Sequence, residues 1–277
     1  MAESFSTQKY LRDLKMPFCA GCGIYTVIST FLRAVHELGH KDLSKFVFCS
    51  GIGCSAWIPS PHFIADSIHT PHGRSIPVAT GVKLLRPDLN VVVFGGDGDI
   101  VGIGLSHFMH ATRRNLDILV IMVNNMVYGM TGGQVAPTTP FKAMTTTTPY
   151  GSFEYPLDAA RLADAAGACF VSRWTTAHQN ELKESIKKAI KMQGFRFIEI
   201  VSQCPTAYGR RVGFKDAGEM LKWFKEAAIP IIESKSLGEK DLDRKIVVGE
   251  FVQRQRPTLI ETIYKTIEEA QKKIEKN

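Results

Sequence analysis

This sequence predicts an α/β fold: a parallel sheet with helices on both faces, extended by a helical C-terminal tail. Two patterns carry the expectation. Hydrophobic runs such as KFVFC, NVVVF and DILVIMV read as strands, and they alternate with segments whose apolar residues recur at helical spacing. The strands then run into glycine, asparagine or cysteine, at the carboxyl ends where open α/β sheets gather their ligands.

After the PFCAGCG loop, Ile24, Val27, Ile28, Phe31, Leu32 and Val35 mark the first helix. A strand at 45–49 leads into the GIGCS turn and an irregular stretch holding His62, His69 and His72. Pro77 suits a first helical turn and opens a helix to Leu85. Strand 90–94, helix 100–113 and strand 118–123 follow. Residues 127–156, rich in threonine, glycine and proline, form a loop long enough to suggest function. Helix 157–166, strand 168–172, helix 178–192 and strand 196–201 complete the sheet and deliver Cys204 at its rim. The expected division is a domain at 1–204 and a helical extension at 205–277, packed on that domain or on a partner.

A length of 277 residues suits one large domain or a domain with appendages, and 44% hydrophobic with 22% charged residues is ordinary for a globular protein. No apolar stretch is long enough to cross a bilayer, and the polar start MAESFSTQKYLRDLKM is no signal peptide, so a cytoplasmic location away from membranes is expected. The net charge of +7 suggests an acidic partner, but the lysines are spread out rather than striped, which argues against nucleic acid. KESIKKAIK and EEAQKKIEK read as solvated helix faces.

The most informative segment is NVVVFGGDGD, paired with a later strand that ends in Asn124 and Asn125. A GDG and an NN, each closing a strand, form the imprint of a thiamine diphosphate and magnesium site. Magnesium takes oxygen ligands, few of them from protein and the rest from phosphate and water. Asp97 offers a carboxylate, Asn125 an amide oxygen and Val127 a backbone carbonyl. Gly95, Gly96 and Gly98 let the backbone approach a diphosphate, and the helix that follows aims its positive end at it. Taken singly, each half is also an ordinary strand-to-helix turn.

The six cysteines divide into two kinds. Cys49 and Cys169 lie in strand-like runs and read as small buried hydrophobes. Cys19, Cys22, Cys54 and Cys204 sit beside glycine or proline in loops, where sulfurs can converge as a ligand set. Zinc and an iron–sulfur cluster both accept four thiolates. Two ligands in a C-x2-C pair and two solitary ones suit a cluster assembled by the whole fold better than a zinc knuckle. A cluster beside thiamine diphosphate also makes chemical sense, because decarboxylation of a 2-oxo acid leaves electrons that a low-potential centre could accept singly.

PFCAGCG, SGIGCS, HTPHGRSIPVATGVKLLRPDLNVVVFGGDGD, NNMVYGMTGGQ and SQCPTAYGRR together resemble the β subunit of the 2-oxoacid:ferredoxin oxidoreductases. The likeness covers about residues 15–215, in family order, and CPTAYGRR with DAGEMLKWFKE is more similar to the 2-oxoglutarate branch than to the pyruvate branch. It implies a thiamine diphosphate-binding (PP-type) fold, Mg2+ on Asp97, Asn125 and the Val127 backbone, and one [4Fe-4S] cluster on Cys19, Cys22, Cys54 and Cys204. It also implies conversion of 2-oxoglutarate and CoA to succinyl-CoA and carbon dioxide, with electrons leaving to ferredoxin. Pyruvate or a branched-chain 2-oxo acid is the alternative substrate, and a structural zinc protein that binds a partner is the reading from another class. No glutamate here stands in a recognisable activating motif. The resemblance assigns that residue to an α subunit, so an obligatory partner is expected, with small γ and δ subunits as further candidates.

Around the cofactor the expected residues are Gly51, Gly53 and Cys54, then His72 and Gly73, then Asp99, then Tyr128, Gly129, Met130 and Thr131, with Gln134 shaping the same loop. His72 and Arg74 are the candidate catalytic pair. Arg210 and Arg211 are candidates to grip the distal carboxylate of the substrate, or else form a surface pair facing a partner. His107 and His110 are expected to be packed or solvated rather than catalytic.

Overall fold

The computed structural model describes residues 4–242 and 244–275. Its strands are β1 (Phe46–Ser50), β2 (Asp66–His69), β3 (Asn90–Gly96), β4 (Leu119–Asn124), β5 (Val127–Tyr128), β6 (Gln134–Val135), β7 (Phe170–Thr175), β8 (Arg196–Val201), β9 (Ala228–Pro230) and β10 (Ile246–Gln253). Its helices are α1 (Ile24–Glu37), α2 (Ser75–Leu85), α3 (Leu105–Arg113), α4 (Ala159–Ala165), α5 (Gln179–Lys191), α6 (Ala217–Ala227), α7 (Ile231–Ser234), α8 (Glu239–Leu242) and α9 (Leu259–Ile274). The main sheet runs β2-β1-β3-β4-β8-β7-β10-β9, while β5 and β6 pair in a small hairpin. The pairs from β2 through β7 are parallel, so β1, β3, β4 and β8 end side by side on one rim.

Alternation along these strands builds two cores, since successive side chains point to opposite faces. Phe48, Phe94, Ile121 and Ile198 join Phe31 and Val35 of α1 and Leu182 and Ile186 of α5 on one face. Val93, Val120 and Phe197 meet Ile76 of α2, Phe108 of α3, Ala160 of α4 and Ile260 of α9 on the other. Phe31 is wholly buried and touches the rings of Phe48, Phe63 and Phe94 at centroid distances of 5.9, 6.0 and 5.2 Å. Burial on both faces explains why β1, β4 and β8 are apolar almost throughout.

Several elements differ from the sequence reading: the stretch read as irregular around His69 holds the edge strand β2, and the loop read at 127–156 holds the β5–β6 hairpin. Residues 205–277 are not helical alone: β10 joins the main sheet antiparallel to β7, and β9 pairs parallel to β10. The sheet therefore runs past residue 204 without a break. The helix expected at 100–113 is a wide π-helical turn at Gly98–Ile103 followed by α3. A second π-helical turn, Pro205–Gly209, follows Cys204. Such turns widen the helix bore and recur at functional sites. Cys49 and Cys169 are both fully buried, as expected of small hydrophobes.

Candidate active site

Asp97 follows the end of β3 as the residue that caps the wide turn, and is 2% exposed. Burial pushes its carboxyl up to about 7, against hydrogen bonds from the Thr138 hydroxyl and nearby backbone that pull it down. A carboxyl buried in this way is kept neutral by a proton or ionised by a cation beside it. The partners of such a cation stand at the end of β4. The side-chain oxygen position of Asn125 lies 3.2 Å from Asp97 Oδ1 and 2.6 Å from the Val127 carbonyl. The Asn125 amide, the Asp97 carboxylate and the Val127 carbonyl thus converge, and oxygen ligands of these kinds are what magnesium takes. Swapping the amide would turn both contacts into hydrogen bonds in the metal-free chain, so the same residues satisfy either state.

The turn that presents these oxygens is held from behind. Met126 has a left-handed backbone (φ 66°), and its N–H donates to Asn124 Oδ1 at 3.0 Å. Asn124 Nδ2 donates to Glu199 Oε1 at 2.8 Å, and Glu199 Oε2 accepts from Arg173 Nε at 2.7 Å. Arg173 also pairs with Asp158. Burial works against the Arg173 charge, but Glu199 and Asp158 outweigh it and hold its pKa above the ordinary value. From the other side Thr139 donates to the Met126 carbonyl at 2.6 Å. Neither Thr138 nor Glu199 was singled out from the sequence. A lone charge inside FIEIV was the available signal for Glu199, whereas nothing distinguishes Thr138 among the many threonines of its loop.

Glycine at 98 is required by close approach, because a Cβ there would stand 2.1 Å from the Tyr128 ring. Tyr128 in turn lies edge-on to His72, with centroids 6.1 Å apart. Asp99 is buried and receives His72 Nδ1 at 2.6 Å, the Gly73 N–H at 2.7 Å and the Ile52 N–H at 3.2 Å on its Oδ1. It thereby ties the turn after β1 and the loop before α2 to the end of β3. Arg74 donates to His107 Nε2 at 2.8 Å. Thr131 and Gln134 clasp each other across the β5–β6 hairpin, at 2.7 and 2.8 Å.

Each of the loop thiols follows a rim element or packs against one. Cys54 and Cys204 come after β1 and β8, and their sulfurs stand 3.7 and 3.8 Å from the position of a Cβ on Gly129, the residue just past β5. The PFCAGCG loop is drawn to the same place: Gly23 N–H donates to the Gln203 carbonyl at 3.0 Å. Burial raises the Cys22 thiol to about 12 and the Cys54 thiol to about 11, and the other loop cysteines add to both shifts by their charge. Cys204 is raised by burial, with Cys19 and Asp97 contributing. The four thiols thus lie within electrostatic reach of one another, and Asp97 within reach of Cys54 and Cys204. Among the described residues, no group of three or more His, Cys, Asp and Glu side chains has closed to metal-binding spacing. Thiolates are the ligands that clusters and zinc share, and of the four loop thiols Cys54 and Cys204 are brought to one residue, Gly129. Arg210 and Arg211 sit exposed just past the second wide turn and enter no ion pair among the described residues.

Residues 51–200 match the family profile described as the C-terminal TPP-binding domain of thiamine pyrophosphate enzymes. The chain is 50% identical to the 2-oxoglutarate synthase subunit KorB of Methanocaldococcus jannaschii, over 94% of this chain and 96% of that one. It is 45% identical to the 2-oxoacid:ferredoxin oxidoreductase subunit beta of Saccharolobus solfataricus, over 68% of this chain and 62% of that one. Among solved structures it resembles the 2-oxoglutarate:ferredoxin oxidoreductase of Magnetococcus marinus with 2-oxoglutarate, coenzyme A and succinyl-CoA bound. The TM-score is 0.84 and the identity 34%, over 97% of this chain and 91% of that one. No described helix is long and apolar enough to cross a membrane. With the family profile and these relatives in agreement, the chain belongs to the β subunits of the 2-oxoacid:ferredoxin oxidoreductases, a family of thiamine pyrophosphate-dependent enzymes.

Proposed function

We propose that this chain is the β subunit of a 2-oxoglutarate:ferredoxin oxidoreductase. The net reaction takes 2-oxoglutarate, CoA and two oxidised ferredoxins to succinyl-CoA, carbon dioxide, two reduced ferredoxins and a proton. The observation that carries this reading is the meeting of two donor sets on one rim: the oxygens of Asp97, Asn125 and Val127, and the sulfurs of Cys54 and Cys204 beside Gly129. The bound relative from Magnetococcus marinus supports 2-oxoglutarate and CoA as the substrates.

Asp97, Asn125 and the Val127 carbonyl would hold Mg2+, and Cys19, Cys22, Cys54 and Cys204 would hold one [4Fe-4S] cluster. When bound, thiamine diphosphate supplies the carbanion chemistry of 2-oxo acid decarboxylation, and the cluster supplies one-electron transfer. The chain's own residues fix the geometry. Gly98 and Tyr128 pack closely and would wall the diphosphate, and the Thr138 hydroxyl donating to Asp97 would orient its carboxylate for a metal. We assign His72 and Arg74 to the reacting end, and Arg210 and Arg211 to the distal carboxylate of the substrate. The activating glutamate comes from an α subunit, and ferredoxin accepts the electrons.

Anaerobic co-purification with the partner subunit tests the proposal. The expected outcome is brown protein containing iron, sulfide and thiamine diphosphate that reduces ferredoxin with 2-oxoglutarate faster than with pyruvate or branched-chain 2-oxo acids. One zinc per chain with neither iron nor thiamine would overturn it in favour of a structural zinc protein. Turnover by the isolated chain would overturn the assignment of the glutamate to a partner.

A further inference from the structure

We propose that Asp99 is a positioning residue that fixes the tautomer and orientation of His72, so that His72 presents Nε2 as a hydrogen-bond acceptor to the reacting end of the site. The inference rests on the reading of this rim as the cofactor pocket. Its first support is donor arithmetic. Asp99 Oδ1 accepts the backbone N–H groups of Ile52 and Gly73, which can only donate. An oxygen so engaged acts as an acceptor towards its third partner too, so the proton between Asp99 and His72 sits on His72 Nδ1. A neutral imidazole protonated at Nδ1 carries its lone pair on Nε2, at the opposite edge of the ring.

The second support is the asymmetry of burial. The Asp99 side chain is 1% exposed and that of His72 is 34% exposed. The aspartate therefore cannot itself meet a substrate, whereas the far edge of the imidazole can. The third is rigidity. Gly73 has a φ of 72°, and a Cβ there would stand 2.9 Å from the Gly104 amide nitrogen, so the His72 loop is pressed against the end of the wide turn after Asp97. Tyr128 flanks the ring edge-on. One aspartate thus sets backbone and ring together. The chemistry this geometry fits is a hydroxyl, ammonium or thiol proton met by Nε2, the work of a hydrogen-bond acceptor or general base.

Nitrogen-15 spectra of the histidine-labelled chain, with the His72 signals assigned by their loss in H72Q, test the tautomer directly. The expected result is a protonated Nδ1 and an unprotonated Nε2, opposite to the preference of free histidine. A protonated Nε2 would overturn the proposal, and this measurement on the native chain stands even if a variant fails to fold. In the assembled holoenzyme, D99A removes the oxygen that His72 Nδ1 meets, whereas D99N keeps it and should hold the same tautomer. D99A is expected to lower kcat on the order of 10²-fold with KM for the 2-oxo acid unchanged. Residues acting as a unit are not additive, so D99A in the H72Q background should cost nothing more. An equal further loss in that background, or full turnover by H72Q, would overturn the proposal. Failure of the underlying cofactor reading shows separately, as a wild-type chain that binds no thiamine diphosphate with magnesium.

Discussion

Replacing Glu199 with glutamine tests how the sheet interior supports the magnesium turn. Glu199 is 2% exposed in the middle of β8, between Asn124 of β4 and Arg173 of β7. In Glu199→Gln the amide keeps an oxygen for Asn124 Nδ2 but turns its NH2 towards Arg173 Nε, donor against donor. The Arg173 side chain, 10% exposed, retains Asp158 and loses its inner partner. Removing one member of a buried pair costs about 3–5 kcal/mol, because the other charge is left uncompensated. For a chain of this length roughly 2 °C of Tm goes with each kcal/mol, so the midpoint should fall by roughly 6–10 °C. The assay is thermal and urea unfolding of the variant, paired with calorimetric titration of magnesium–thiamine diphosphate. The double variant Arg173→Met, Glu199→Leu should recover most of the loss in stability, since a packed apolar pair replaces a charged one. An E199Q midpoint within 1 °C of wild type would refute the reasoning.

Gly23→Ala would place a Cβ 2.2 Å from Ser202 Oγ and 2.5 Å from Gln203 Oε1, pushing the PFCAGCG loop off the Cys204 segment; iron content measured after anaerobic reconstitution should drop several-fold, while thiamine binding persists. Asp97→Asn removes a buried carboxylate that burial holds at about 7, so magnesium–thiamine diphosphate affinity should fall on the order of 100-fold by calorimetry with no loss of metal-free stability. Phe31→Ala empties the centre of a four-ring cluster and should cost about 3–5 kcal/mol in urea unfolding. Glu37 is held below the usual carboxylate range by Lys183, with Lys187 adding to it. Its contribution is present above the ordinary carboxylate pKa and disappears as pH falls through the lowered value. Because the pair is partly exposed, Glu37→Gln should cost at most about 1 kcal/mol at pH 7 and progressively less as pH falls through the lowered value, read by urea midpoints across that range.

The rim was legible because its chemistry sits where strands stop. Asp97, Asn125, Cys54 and Cys204 each follow an apolar run, and a change from hydrophobic to glycine or polar residues is visible in a single sequence. The β10 strand was harder to see. IVVGEFVQ is interrupted by Gly249 and Glu250, has a register shift between Glu250 and Val252, and is flanked by lysine-rich segments, so its period blurs into the helical pattern around it. Glu250 belongs there because it reaches Lys188 of α5 at 2.5 Å, a contact that no local pattern announces. The two wide turns were equally hidden, since backbone winding of this kind is set by what the turn must clear. The support from Glu199 and Arg173 joins residues on separate strands, and only the strand order brings them together.

The place of β8 in the sheet has a consequence for synthesis of the chain. It lies between β4 and β7, although it is made after both, and Cys204 follows it by three residues. A ribosome that has released only the first hundred and fifty or so residues (about half the chain) exposes three of the four loop thiols with no site in which to assemble them. On the ligand set proposed above, a four-thiolate site could close only after β8 has inserted and brought Cys204 to the rim.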